Sequence, residues 1–293
     1  MNNNTKGVLF ALFATLLWSV NMVVASGVKD HIPPIGLAFW RWTVACMALA
    51  PFALQKSIRD FKIIKKNNTY LFITALLGIT VFNTLIYFAG KTTSAINLSL
   101  IAISIPLFII LLSRIFFKEK VSTVKAIGII TIVTGVLVLL SKGSILSLFQ
   151  INFTFGDILM LLACFFFACY TLLVRQKPEE LSPRVFLFSV FVIGTILLLP
   201  FYIYEHVAVK KVFFDLKTIM IILYVGIFAS LVSFYLWNEA IRLIGTSKTA
   251  IIYYLIPVFS GLLALFFLDQ AVYSTQIISM GIIISGLLLT NKK

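Results

Sequence analysis

Apolar residues run along this chain in long blocks, broken only by short polar clusters. Ten blocks approach the roughly 20 residues that a helix needs to cross a bilayer. They fall at about 7–25, 35–54, 70–89, 95–116, 124–141, 156–174, 184–204, 218–237, 247–268 and 274–290. Apolar positions surround each block nearly completely, so the pattern marks helices in lipid but not which face each one buries. The predicted fold is an all-α integral membrane protein of ten transmembrane helices, with no room between them for a soluble domain.

The blocks also repeat. "GVLFALFATLLW" from Gly7 resembles "GDILMLLACFFF" from Gly156, 149 positions on, and Pro51-Phe52 falls on Pro200-Phe201 at the same offset. Pro106 falls on Pro257, Glu119 on Gln270 and Gly135 on Gly286, each 151 positions on. Two five-helix repeats are expected, residues 1–148 and 149–293. Five is odd, so the second repeat enters the membrane from the opposite side. That is the inverted-repeat plan of carriers that alternate access around a midplane site.

Composition supports a membrane protein: 61% of residues are hydrophobic and 12% charged, against about 25% charged in a soluble domain. The first block is too long for the apolar core of a secretory signal and is expected to be a retained span. The net charge of +14 does not point to nucleic acid, because Lys and Arg sit in loops. With the N-terminus inside, the inner segments carry 17 of them and the outer segments six. The positive-inside rule therefore places both termini in the cytoplasm. Cys46, Cys164 and Cys169 lie within apolar blocks and His31 and His206 stand apart in loops, so no metal site, cofactor or disulfide framework is expected.

Several stretches resemble the ten-helix EamA branch of the drug/metabolite transporter superfamily. "LLWSVNMVV" (Leu16 to Val24) resembles its first helix, and "FWRW" (Phe39 to Trp42) its second, where an Arg is typical. "IPLFIILLSRIFFKEKVS" resembles its proline-containing fourth helix, and "LIPVFSGLLALFFLDQAVYSTQIISMGIIISGLLL" the matching end of the second half. Gln270 departs from the family, where Glu is common. The resemblance implies a secondary transporter of small metabolites, such as amino acids or nucleosides, often moved outward, in a bacterial inner membrane. Uptake of nucleoside-like metabolites is the alternative. A membrane-embedded lipid-modifying enzyme is a remote one, because no His, Asp or Glu cluster stands at either face. Substrate and lipid are the expected partners; monomer or homodimer is left open.

Each of the ten acidic residues lies in a loop or near the end of a block. None sits at mid-membrane, where a proton-coupled exporter of cations needs a desolvated carboxylate; the small four-helix multidrug relatives depend on one such glutamate. Glu239 comes nearest and is placed to pair with Arg242 one turn on. Neutral polar groups are the better candidates. Trp18, Asn21, Asn83, Tyr87, Tyr170, Tyr253 and Tyr254, with Arg41, are expected to line a substrate cavity, because amides in hydrocarbon must bridge helices or face a wet site. Pro106 and Pro257, at matching places in the two repeats, are expected to act as hinges. Arg41 is expected to be a buried structural group, a positive element for a substrate carboxylate or outer gate, or a snorkelling side chain. By depth, Asp157 and Asp269 are its expected acidic partners.

Overall fold

The computed structural model describes residues 2–28, 32–92, 98, 101–102, 104–140, 154–256, 258–259, 263 and 274–291. Among these residues every element is a helix. We label them α1 (Asn3–Val28), α2 (Pro34–Arg59), α3 (Asn68–Thr92), α4 (Ser104–Phe117), α5 (Thr123–Leu140), α6 (Phe155–Arg175), α7 (Pro183–Val209), α8 (Leu216–Ile244), α9 (Thr246–Tyr253) and α10 (Ser274–Asn291). A short turn of helix, Phe61–Lys66, joins α2 to α3. Five of them, α2, α3, α6, α7 and α8, are long and apolar enough to span a bilayer by length and composition; α4, α5 and α10 contain shorter apolar stretches. Phe13, Met47, Phe52, Leu111, Ile130, Leu161, Ile196 and Leu288 are exposed. A surface so rich in large apolar side chains suits lipid, not water.

The helices pair across the halves of the chain. α2 packs on α7, α5 on α10 and α4 on α9; α1 packs on α8, and α6 on α3. α1 also touches α9, and α6 touches α4. Exchanging each helix with the one five places along maps this set of pairings onto itself. The backbones come close where glycines allow it. A Cβ on Gly128 would meet the Gly286 carbonyl at 2.9 Å, and one on Gly286 would meet the Gly128 carbonyl at 2.8 Å. Here α5 and α10 touch main chain to main chain, the contact that small residues permit between helices in lipid.

Contacts also sort the loops into two ends. At one end, Lys66 reaches Glu180 at 3.1 Å, Arg175 reaches Glu119, and Gly7 abuts Leu243 and Ile244. This end gathers the basic segments, and we call it the basic end. At the other, Glu205 of α7 accepts hydrogen bonds from the backbone N–H groups of Ile35 (3.2 Å) and Gly36 (2.7 Å). α2 begins after Pro33 without a side-chain cap of its own. The buried Glu205 carboxylate takes that place from the other half, where the helix dipole favours a negative charge.

Three stretches widen from α to π geometry: Leu76–Val81 in α3, Glu205–Val209 in α7 and Val225–Val232 in α8. Those of α3 and α8 begin 149 positions apart, the offset found between the first and sixth apolar blocks. A π turn leaves carbonyls without their usual i+4 donor, and side chains take them up. Asn83 donates to the carbonyls of Gly78 (3.3 Å) and Ile79 (3.1 Å), and Ser233 donates to that of Phe228 (2.8 Å).

The fourth and ninth blocks differ in detail from expectation. Pro106 is buried in the first turn of α4 as described. α9 stops at Tyr253, and Tyr254 and Leu255 close tighter i→i+3 bonds to Ile251 and Ile252. Ser19 of α1 reaches the Ile256 carbonyl at 3.4 Å. Pro257 itself, with Gln270 and Asp269, lies outside the described residues.

Candidate functional site

The site is built around Arg41. Its side chain is 3% exposed, which is untenable for a lone guanidinium in lipid. Nε donates to Ser230 Oγ at 2.7 Å, and Nη1 donates to Asn83 Oδ1 at 3.0 Å and to Tyr87 OH at 2.7 Å. Nη2 reaches the Ala229 carbonyl at 3.4 Å, and the Trp42 ring lies 5.1 Å away. Arg41 does not snorkel. Among the described residues its hydrogen-bond partners are all neutral, contrary to the acidic partner expected at Asp157. Asp157 instead completes a capping box with Thr154 at the start of α6. The physical reason is the fork: five N–H groups can be satisfied by several oxygens spread over two helices, with no carboxylate required.

The widened turns explain why those oxygens are available. Asn83 gives its amide nitrogen to the loosened α3 backbone, which aims its oxygen at Arg41. In α8 the π segment presents the Ala229 carbonyl to Trp18 Nε1 at 3.0 Å as well as to Arg41. Ala38 and Ala45, on the Arg41 face of α2, are completely buried, and Gly226 lets α8 approach Val44 and the Arg41 carbonyl. Small residues thus bring α2 close enough for the arginine to reach two helices.

Above this network lies a cavity of about 40 Å³, lined by Trp18, Asn21, Arg41, Phe82, Asn83, Ile86, Tyr87, Phe167, Phe234 and Tyr253. Trp18 meets Phe167 and Phe234 edge-on, each at 5.7 Å between ring centres, and Tyr253 at 5.9 Å. Trp18 and Phe167 occupy equivalent places in the two repeated blocks. Among the described residues no acidic side chain lines the cavity. Its volume accommodates a few water molecules but not a metabolite, whose sites measure about 300 Å³ or more.

Six of the eight expected binding residues therefore meet at one cavity. Tyr170 and Tyr254 lie elsewhere. Tyr170 sits one layer toward the basic end, stacked on Phe167 and donating to Asn238 Oδ1 at 3.1 Å. Tyr254 packs with Ala11 and Ile110 in a separate cluster. Phe82, Ile86, Phe167 and Phe234 are not singled out by the sequence, because one phenylalanine among 28, or one isoleucine in an apolar block, carries no mark of its own. Phe82 and Ile86 could have been found as the immediate neighbours of Asn83 and Tyr87.

Toward the basic end the halves are tied by a polar cluster. Glu119 accepts from Arg175 and from Ser247. Arg175 lies 4.0 Å over the Phe117 ring and reaches Thr246 Oγ1 at 3.4 Å. Ser113 bonds the same Thr246 hydroxyl at 2.8 Å. The cluster joins the end of α4 to the end of α6 and the start of α9. Nearby, Asn67 and Lys66 hold the exposed Glu180 carboxyl below its usual range. Glu239 pairs with Arg242 as expected, through Nε at 3.0 Å and Nη2 at 2.6 Å.

Comparison with known proteins bears on what such a site does. The profile of the EamA-like transporter family matches residues 5–141 and again residues 154–292. An uncharacterized transporter of Archaeoglobus fulgidus is 27% identical over 294 residues, covering 99% of each chain. The uncharacterized transporter YyaM of Bacillus subtilis is 26% identical, over 88% of this chain and 84% of its own. The WAT1-related protein At2g40900 of Arabidopsis thaliana is 25% identical, over 91% and 73%. A solved crystal structure shares the fold with a TM-score of 0.79 at 17% identity, over 98% of this chain and 96% of its own.

Proposed function

The chain belongs to the EamA-like transporter family, and from that premise we propose that this membrane transporter exports small amphipathic compounds, zwitterionic or neutral, of the amino-acid type. The observation that carries the reading is the lining of the central cavity. It combines one guanidinium, two amides and two phenols with aromatic walls and, among the described residues, has no carboxylate. Arg41 supplies a positive field for a substrate carboxylate, Asn21 and Asn83 supply amide contacts, and Trp18, Phe167 and Phe234 supply the apolar surface. A lipophilic cation would meet like charge there.

Export is the direction that the family resemblance implies. Among the described residues no acid stands in the cavity to exchange a proton for substrate, so transport runs down the substrate's own gradient. A metabolite concentrated in the cytoplasm then moves outward. The two family matches and the exchange-invariant helix pairing support alternating access between two halves, with the cavity at their interface. In the closed conformation described here, substrate entry requires the aromatic walls to part.

Counterflow in proteoliposomes tests this, with a panel of amino acids, nucleosides and cationic dyes, each with and without an imposed pH gradient. Amino-acid counterflow indifferent to the gradient is the expected result. Steep pH-driven accumulation of lipophilic cations, abolished by Glu239→Gln, would overturn it.

A further inference from the structure

A much larger cavity, about 650 Å³, opens at the basic end between the end of α6, the start of α7 and the end of α8. It is of metabolite size. Its walls hold unmet donors. Asn238 is 9% exposed, its oxygen accepts from Tyr170, and its Nδ2 has no hydrogen-bond partner. Ser182 Oγ is likewise buried without a partner. Ser182 is the residue before α7, yet its side chain caps nothing. The first N–H groups of α7 therefore add a partial positive charge beside two free donors. A buried donor left unpaired forfeits its hydration without compensation, so these groups are poised for an acceptor from outside the protein.

The rest of the lining gives the other features of that ligand. Glu239 brings a carboxylate whose two bonds from Arg242 both go to Oε2. Phe186, Leu187 and Tyr235 bring an apolar wall. We propose that this crevice is a loading site for an amphipathic zwitterion. The carboxylate sits on Asn238 Nδ2, Ser182 Oγ and the α7 N-terminus, the ammonium faces Glu239, and the side chain lies on Phe186 and Tyr235. The proposal rests on the transport reading above and adds a second site to it. Tyr170 is the partition between the two sites, bonded to Asn238 in the crevice and stacked on Phe167 in the wall of the central cavity.

The test is ligand protection of a cysteine. Glu179→Cys, at an exposed position in the crevice wall, is placed in full-length protein whose three native cysteines are replaced, and reacted with a small thiosulfonate reagent applied to the basic end. L-phenylalanine and L-leucine should slow the reaction, whereas phenethylamine and 3-phenylpropionate, each lacking one charge, should not. Asn238→Leu should raise the half-protecting concentration about tenfold or more, the loss of one hydrogen bond to a charged group. Should that variant fail to fold, Asn238→Asp keeps the acceptor for Tyr170 and should turn the preference toward phenethylamine. Counterflow is measured beside it. Counterflow of either amino acid without protection would overturn the crevice proposal and leave the transport reading intact; protection without counterflow would do the reverse. Protection by neither amino acid, a Glu179→Cys thiol that does not react at all, or protection only by added phosphatidylglycerol would each overturn the proposal, the last by making the crevice a lipid site.

Discussion

Arg41 and Asn83 hold each other in place: the guanidinium donates to an amide oxygen 3.0 Å away, and the same amide's nitrogen is anchored in a widened turn of α3. Removing either partner leaves the other buried and under-bonded. Arg41→Ala should reduce thermal stability, because an unpaired buried polar group costs about 1–3 kcal/mol and here several oxygens lose their donor. Arg41→Lys should keep the charge yet fail to serve Ser230, Asn83 and Tyr87 together, since an ammonium lacks the planar fork. Counterflow with a melting curve in detergent reads both, and full activity in both variants would show the network to be dispensable.

Tyr87 separates bonding from shape. Tyr87→Phe deletes only the hydroxyl that accepts from Arg41 and should slow transport about tenfold, in keeping with roughly 1.5 kcal/mol for a bond to a charged group. Tyr87→Ala and Asn21→Ala also open the wall and should broaden the range of compounds accepted. Unchanged rate and selectivity in all three would remove these residues from the site.

The Glu119 cluster is expected to restrain opening at the basic end. Glu119→Gln weakens its hold on Arg175, and Ser113→Cys reports the result, because Ser113 is fully buried beneath the cluster. Labelling of Ser113→Cys should accelerate when Glu119→Gln is added. The pair is partly exposed, its side chains at 34% and 26%, so a double-mutant cycle should return only about 1 kcal/mol of coupling. An unchanged labelling rate would mean that the cluster does not gate access.

Orientation is tested by impermeant thiol reagents on a cysteine-free background. Ser57 is a poor reporter, being buried with its hydroxyl bonded to the Ala53 carbonyl at 2.9 Å. Lys62 and Lys211 are exposed. Lys62→Cys should label only from the cytoplasm and Lys211→Cys only from outside. The opposite pattern would reverse the assignment of both ends.

Membrane residence, helical class and family were legible in the sequence because they depend on quantities that add along a chain. About twenty apolar residues exclude water wherever they fold, and the ordered "LLWSVNMVV" and "FWRW" stretches carry the family resemblance without any knowledge of contacts. Arg41, Asn21, Asn83 and Tyr87 stood out for the same reason, as polar groups that hydrocarbon cannot solvate. Which oxygens would satisfy Arg41 was decided only in three dimensions. A depth argument pointed to Asp157 or Asp269, whereas two π segments turned the Asn83 side chain and the Ala229 carbonyl toward the arginine, and small residues brought α2 within reach. The phenylalanines of the cavity, and the parting of Tyr170 from Tyr253, were likewise matters of packing. In a helix apolar on every side, periodicity has no polar face to measure against, so only contact with the neighbouring helices distinguishes a residue that faces the cavity from one that faces lipid.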